Sequence, residues 1–90
     1  MRVHFGTNGW DDYQHWLENE PAMLIRINAL IKDARRNPFQ GLGKPEALKG
    51  GLSGWWSRRI TGEHRLVYRV QGKAGLDQRI EILMCRNHYT

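Results

Sequence analysis

The chain has 90 residues, of which 40% are hydrophobic and 10% aromatic, so it is long enough for one small core and too apolar to be disordered. No run approaches the ~18 apolar residues of a membrane span, and no signal-peptide pattern opens the chain. The lone Cys85 excludes an intramolecular disulfide and a cysteine zinc site. A single domain spanning 1–90 and a cytoplasmic location are expected. The net charge of +5 is unevenly placed. Residues 1–34 carry −2, residues 35–69 carry +6 and residues 70–90 carry +1. A middle third more positive than the whole molecule points to a polyanion-binding surface.

Residues 2–6 (Arg-Val-His-Phe-Gly) alternate polar and apolar, as a half-buried strand does. Thr7 or Asn8 can cap the helix that follows, with Asp11 and Asp12 suited to the positive end of its dipole. Trp10, Tyr13, Trp16 and Leu17 recur at three- and four-residue steps, which assigns Trp10 and Trp16 to the core. Pro21 suits the first turn of a second helix, capped by Asn19 or Glu20. Leu24, Ile27, Leu30, Ile31 and Ala34 continue its apolar stripe to about Arg36, and Asn37-Pro38 ends it.

Phe39 to Gly51 reads as an ordered loop rich in glycine. No Gly-Lys-Ser/Thr makes it a phosphate-cradling loop, and Leu52-Ser53-Gly54 does not fit a nucleophile elbow. From Trp55 the period becomes two. Strands are predicted over 55–61, 65–70 and 79–85, with a tight turn near Gly62-Glu63 and a polar hairpin loop over Gln71–Gln78. Leu66, Tyr68 and Val70 share one face and Arg65, Val67 and Arg69 the other, while Ile80, Ile82 and Met84 form the matching apolar set. Trp55 and Trp56 must point to opposite faces, so one of them could support a ligand, and the sequence does not say which. Cys85 ends an apolar run and reads as a buried, unreactive thiol. The predicted architecture is α+β: two N-terminal helices packed on a twisted antiparallel sheet in the order β-α-α-β-β-β, with a basic face left open.

Several blocks of the chain resemble the YoeB-type toxins of bacterial toxin–antitoxin pairs, within the RelE/ParE superfamily. They are Asp11-Asp12-Tyr13, Ile31 to Phe39, Gly43-Lys44-Pro45-Glu46, Leu48-Lys49 and Leu52-Ser53-Gly54. Trp56 to Thr61, Glu63 to Tyr68 and Cys85-Arg86-Asn87-His88-Tyr89 complete the set. Two departures stand out: the hairpin Gln71–Gln78 looks longer than is usual in the family, and Thr90 follows the tyrosine that typically ends the chain. The resemblance implies an endoribonuclease cutting messenger RNA in the ribosomal A site. It also implies a YefM-like antitoxin partner with an acidic, disordered tail, contact with operator DNA only through the antitoxin complex, and room for a homodimer.

RNA cleavage by its own 2′-hydroxyl needs a base for the 2′-OH proton, an acid for the leaving 5′-oxygen and cations for the charge gathering on phosphorus. His4, His15, His64 and His88 are scattered, so no metal or cofactor is expected. Glu46 is the base candidate, the carboxylate of a loop whose Lys44 and Lys49 would keep it ionised. Arg65 can fork across two phosphate oxygens, and the resemblance assigns it to the transition state. His88 suits the general acid, and Tyr89 can orient the phosphate or stack on a base. Lys44, Lys49, Arg58 and Arg59 are the candidate phosphate binders. His64 and Glu63 carry no assigned role. A gyrase-inhibiting ParE-like binding module and a basic RNA-binding domain without chemistry are the competing classes. The joint presence of Glu46, Arg65, His88 and Tyr89 favours the nuclease.

Overall fold

Helical periodicity dictates the N-terminal half. In the computed structural model, which describes residues 1–89, strand β1 (Arg2–Phe5) leads into helices α1 (Thr7–Asn19) and α2 (Ala22–Arg36). The expectation concerning Thr90 lies outside the described residues. The predicted stripe of α2 is buried in full: Leu24, Ile27, Leu30, Ile31 and Ala34 all face the sheet. Each of the leucine and isoleucine side chains contributes about 1.5–3 kcal/mol by leaving water. Arg35 and Arg36 close the last turn, where positive charge suits the helix dipole.

The sequence reading of α1 needs two corrections. The helix starts at Thr7 with Gly6 as its cap, so Thr7 and Asn8 lie inside the first turn and cap nothing. Trp16 is buried at 5% exposure, whereas Trp10 is 51% exposed and stacks on Tyr13. Residues seven apart fall almost on one line of a helix, since each step turns about 100°. Gly9 and Trp16 make the buried line of α1, and Trp10 and Leu17 make an exposed one. Gly9 has to be glycine, because a Cβ there would meet the Ile82 carbonyl oxygen at 2.6 Å. The helix backbone therefore lies directly against the sheet.

The C-terminal half supplies most of that sheet. After β2 (Glu46–Ala47) and a single 3-10 turn (Gly50–Leu52) come β3 (Trp56–Arg59), β4 (Arg65–Gln71) and β5 (Arg79–Met84). The five strands run in the order β1-β5-β4-β3-β2. Strands β2 to β5 pair antiparallel as predicted, whereas β1 joins β5 in parallel, so the sheet is mixed. β1 enters the slot beside β5 with Val3 and Phe5 packed against the core. Strand β2 lay hidden in the predicted loop because two residues cannot display a period.

Ile60, Leu66, Tyr68, Ile80 and Ile82 meet the helices in one core. Met84 does not join them as expected. Val67 pairs with Met84 but Tyr68 pairs with Ile82, so Leu83 is an extra residue that flips Met84 to the opposite face. No helix among the described residues is long and apolar enough to cross a membrane.

Candidate functional site

Strand alternation sorts β3 and β4 into two faces. Trp56, Arg58, Ile60, Leu66 and Tyr68 turn toward the helices, while Ser57, Arg59, Arg65, Val67 and Arg69 turn away. The register then builds rungs across the outer face. Glu46 lies opposite Ser57, Ser57 opposite Val67 and Val67 opposite Met84, so one rung crosses four strands. Arg59 and Arg65 face each other on the next rung. Like charges directly opposed on neighbouring strands are destabilising. No carboxylate among the described residues forms an ion pair with either arginine. The pair makes this face a place for an anion.

After β5 the chain runs past α1 and the start of β4 and reaches this face at Tyr89. The Cys85 N–H donates to Asp12 Oδ2 at 3.0 Å, and Trp16 Nε1 donates to the Cys85 carbonyl at 2.9 Å. The Arg65 N–H donates to the Asn87 carbonyl at 3.0 Å, and the Asn87 N–H donates to His64 Nδ1 at 2.8 Å. An N–H donor at Nδ1 requires that nitrogen to be bare. Asn87 takes φ of 65°, a left-handed conformation that asparagine tolerates better than most residues. So held, the tail brings the Tyr89 hydroxyl to 3.5 Å from Ser57 Oγ, on the rung of Glu46. His88 is exposed, its ring 4.5 Å from that of Tyr89.

The four arginine and lysine phosphate candidates separate. Lys44, Lys49 and Arg59 are exposed. Arg58 is corrected: its side chain is wholly buried and engaged on every nitrogen, so it does not reach the outer face. Nε donates to the Tyr68 hydroxyl at 2.9 Å. Nη1 pairs with Asp33 and the Leu42 carbonyl, and Nη2 donates to the carbonyls of Asn37 and Gln40. Its hydrogen bond holds the Asp33 carboxyl below the usual carboxylate range, while burial pushes the Tyr68 hydroxyl up. Arg58 thus fastens the chain after α2 to the sheet. Gly43 continues that seam: its carbonyl accepts the Arg59 N–H at 2.7 Å, and a Cβ would strike Leu30 at 2.8 Å. This anchoring presents Lys44 and Glu46.

Arg65 is 9% exposed, with Nη1 held by the carbonyls of Thr61, Gly62 and His64. Those bonds aim the guanidinium rather than fill it. Nε and Nη2 make no hydrogen bond to the described residues. Glu46 is exposed at the sheet edge, and no ion pair joins it to Lys44 or Lys49. Among the described residues no group of three or more His, Cys, Asp or Glu could hold a metal ion. Burial raises the Cys85 thiol to about 12, which makes it a poor nucleophile.

Sequence reasoning missed Ser57 and the contacts that Asp12 and His64 make with the tail. Ser57 was legible, since it stands two residues before Arg59 on the same face. The other two meet the tail across long sequence separations that no local pattern signals.

A basic outer face on a small mixed sheet, bordered by a docked C-terminal tail, is a surface suited to a polyanion. The profile of YoeB-like toxins of bacterial type II toxin–antitoxin systems matches residues 5–89. The toxin YoeB of Escherichia coli K12 is 52% identical over 89 residues, covering 99% of this chain and 100% of that one. A YoeB/ParE toxin structure from Agrobacterium tumefaciens superposes with a TM-score of 0.94 at 53% identity, covering 99% of this chain and 100% of that one. A heterotetrameric YoeB–YefM complex from Staphylococcus aureus gives 0.85 at 40% identity, covering 99% and 98%. The chain belongs to the YoeB-like toxin family.

Proposed function

We propose that this toxin is a metal-independent endoribonuclease that cuts messenger RNA in the ribosomal A site and so stops translation. The rung that brings Glu46, Ser57 and Tyr89 together beside the opposed Arg59 and Arg65 carries this reading. Glu46 removes the 2′-hydroxyl proton as the 2′-oxygen attacks the adjacent phosphorus. The bond to the 5′-oxygen breaks as His88 supplies its proton. Arg65 stabilises the added charge on the phosphorane oxygens, and Tyr89 positions the phosphate. The products are a 2′,3′-cyclic phosphate and a 5′-hydroxyl, so atoms and protons balance without a metal or cofactor. Lys44, Lys49 and Arg59 hold flanking phosphates. In the cytoplasm a YefM-like antitoxin would lay an acidic tail on the basic face, and operator DNA would be met only through that complex. The Staphylococcus aureus complex with YefM supports this choice of partner. A homodimer is compatible with it.

Incubation with programmed ribosomes, followed by mapping of the RNA ends, tests the mechanism. Glu46→Gln and His88→Ala should each lower single-turnover cleavage by about 10²–10⁴-fold. The double variant should lose less than the product of the two. Ribosome binding should persist, since neither change removes a cationic phosphate contact. Undiminished cleavage by both variants, or 3′-hydroxyl ends that require Mg²⁺, would defeat the assignment.

A further inference from the structure

The outer face continues beyond the catalytic rung. Two residues before Ser57, on the same side of β3, the Trp55 ring lies under the Arg69 guanidinium, 4.4 Å from ring centroid to Cζ. That offset along a strand is about 7 Å. Arg69 is pinned from its far side: Nε donates to Glu81 Oε1 at 2.8 Å, and Arg79 Nε donates to Oε2 at 3.1 Å. These bonds hold the Glu81 carboxyl below the usual carboxylate range. The Nη atoms of Arg69 make no hydrogen bond to the described residues, and the side chain is 39% exposed. Beside this stack opens a cavity of about 340 Å³. Trp55 and Leu83 give it apolar walls, and His4, Arg69 and Glu81 give it polar ones.

A guanidinium held over an indole, with donors left at its tip and a hollow beside it, is suited to a nucleobase and its phosphate. Bases stack on aromatic rings and on guanidinium planes, and a carboxylate accepts from exocyclic amino groups. The two arginine bonds use two of the roughly four acceptor positions of Glu81. We propose that this cavity is an RNA subsite for one nucleotide flanking the scissile phosphate. Its base stacks against Trp55 and Arg69, and its phosphate meets the Arg69 Nη donors. Glu81 favours bases bearing an amino group over uracil. The proposal rests on the nuclease reading above and names a further part of its substrate contact.

The test uses RNA with a 2′-deoxy sugar at the cut site, which binds without being cleaved, and single abasic substitutions stepped along the strand. In the wild-type protein one abasic position should weaken binding by about 5- to 150-fold, the usual worth of one stacked base. In a Trp55→Leu, Arg69→Gln double variant, that position alone should lose its penalty. If the double variant does not fold, Arg69→Gln by itself repeats the measurement with Trp55 in place. Penalties that are unchanged in the variant overturn the subsite. A variant that weakens binding of an acidic antitoxin peptide while leaving every RNA penalty intact also overturns it, and makes the cavity a protein-docking surface. Cleavage of all-ribose RNA on programmed ribosomes by the wild-type protein is the control. If it fails, the nuclease reading falls; if it succeeds while the penalties stay put, only the subsite falls.

Discussion

Arg58 and Arg59 are neighbours on β3 with the same chemistry and opposite surroundings. Arg58 turns inward, where Asp33, Tyr68 and loop carbonyls take all of its donors. Arg59 turns outward, opposite another arginine, with no carboxylate paired to it among the described residues. Trp56 and Trp55 repeat the division two to four residues earlier, one packed against the core and the other on the outer face. The lesson is that a positive charge can serve as a binding group where the fold leaves some of its donors unfilled. A charge count over residues 35–69 cannot make that distinction, and the parity of position along a strand can.

The contrast is broken most sharply at Arg58. Arg58→Met leaves the part-exposed Asp33 carboxylate and several carbonyls without their donor, and an acceptor left unsatisfied costs about 1–3 kcal/mol. A urea titration should show that loss as a lower midpoint with an unchanged slope. Arg59→Gln should stay within about 0.5 kcal/mol of wild type, as exposed substitutions do. Its effect belongs to binding: the log–log slope of RNA affinity against salt should fall by about 0.7, one phosphate contact on a single strand. Equal destabilisation by the two changes would abolish the distinction between the faces.

His64 sharpens the comparison, because it reaches from the strand turn to fix the tail that borders the outer face. Its ring packs edge-on against Trp16, and Nδ1 accepts the Asn87 N–H, one residue before His88. A misplacement of about 1 Å can cost ~10²-fold in rate, so His64→Ala should reduce single-turnover cleavage by about 10- to 100-fold with little change in ribosome affinity. His64→Asn keeps an acceptor on a short side chain and should recover most of that loss. A His64→Asn protein no better than the alanine variant would rule out the hydrogen bond as the cause.

How much of this was legible follows from the range of each pattern. The α2 stripe was readable because a long amphipathic helix repeats its signal along its own length. Trp10 was misplaced because successive three-residue steps each fall about 60° short of a full turn, which carries it off the line of Trp16. The parallel docking of β1 and the brief β2 depend on partners far along the chain, and the Leu83 bulge shows only against β4. Glu46, Arg65, His88 and Tyr89 were singled out from residue type and resemblance. The rung that seats Tyr89 beside Ser57 required the register. Arg58 was readable and misread, since it shares parity with Trp56 and Ile60.

A smaller effect separates the two faces by pH. Asp33 has a folded-state pKa below its ordinary value near 3.8, chiefly through Arg58 and then through the Leu42 N–H. Its contribution is therefore complete above about pH 4 and fades as pH falls through the folded value. The stability gap between wild type and Asp33→Asn, read by urea unfolding at each pH, should be full at pH 7 and narrow between pH 4 and pH 3. A gap constant over that interval would remove Asp33 from the account of the inner face.

Cys85 lies under α1, its thiol 3.7 Å from the Gly9 carbonyl and wholly out of solvent. It stands three residues ahead of His88, inside the hydrogen bonds that seat the tail. The chain contains no other cysteine. An alkylating reagent has nothing to attack until the tail lifts, and then has a single target. The rate of that one reaction is a stopwatch for tail departure, built into the chain with no label added.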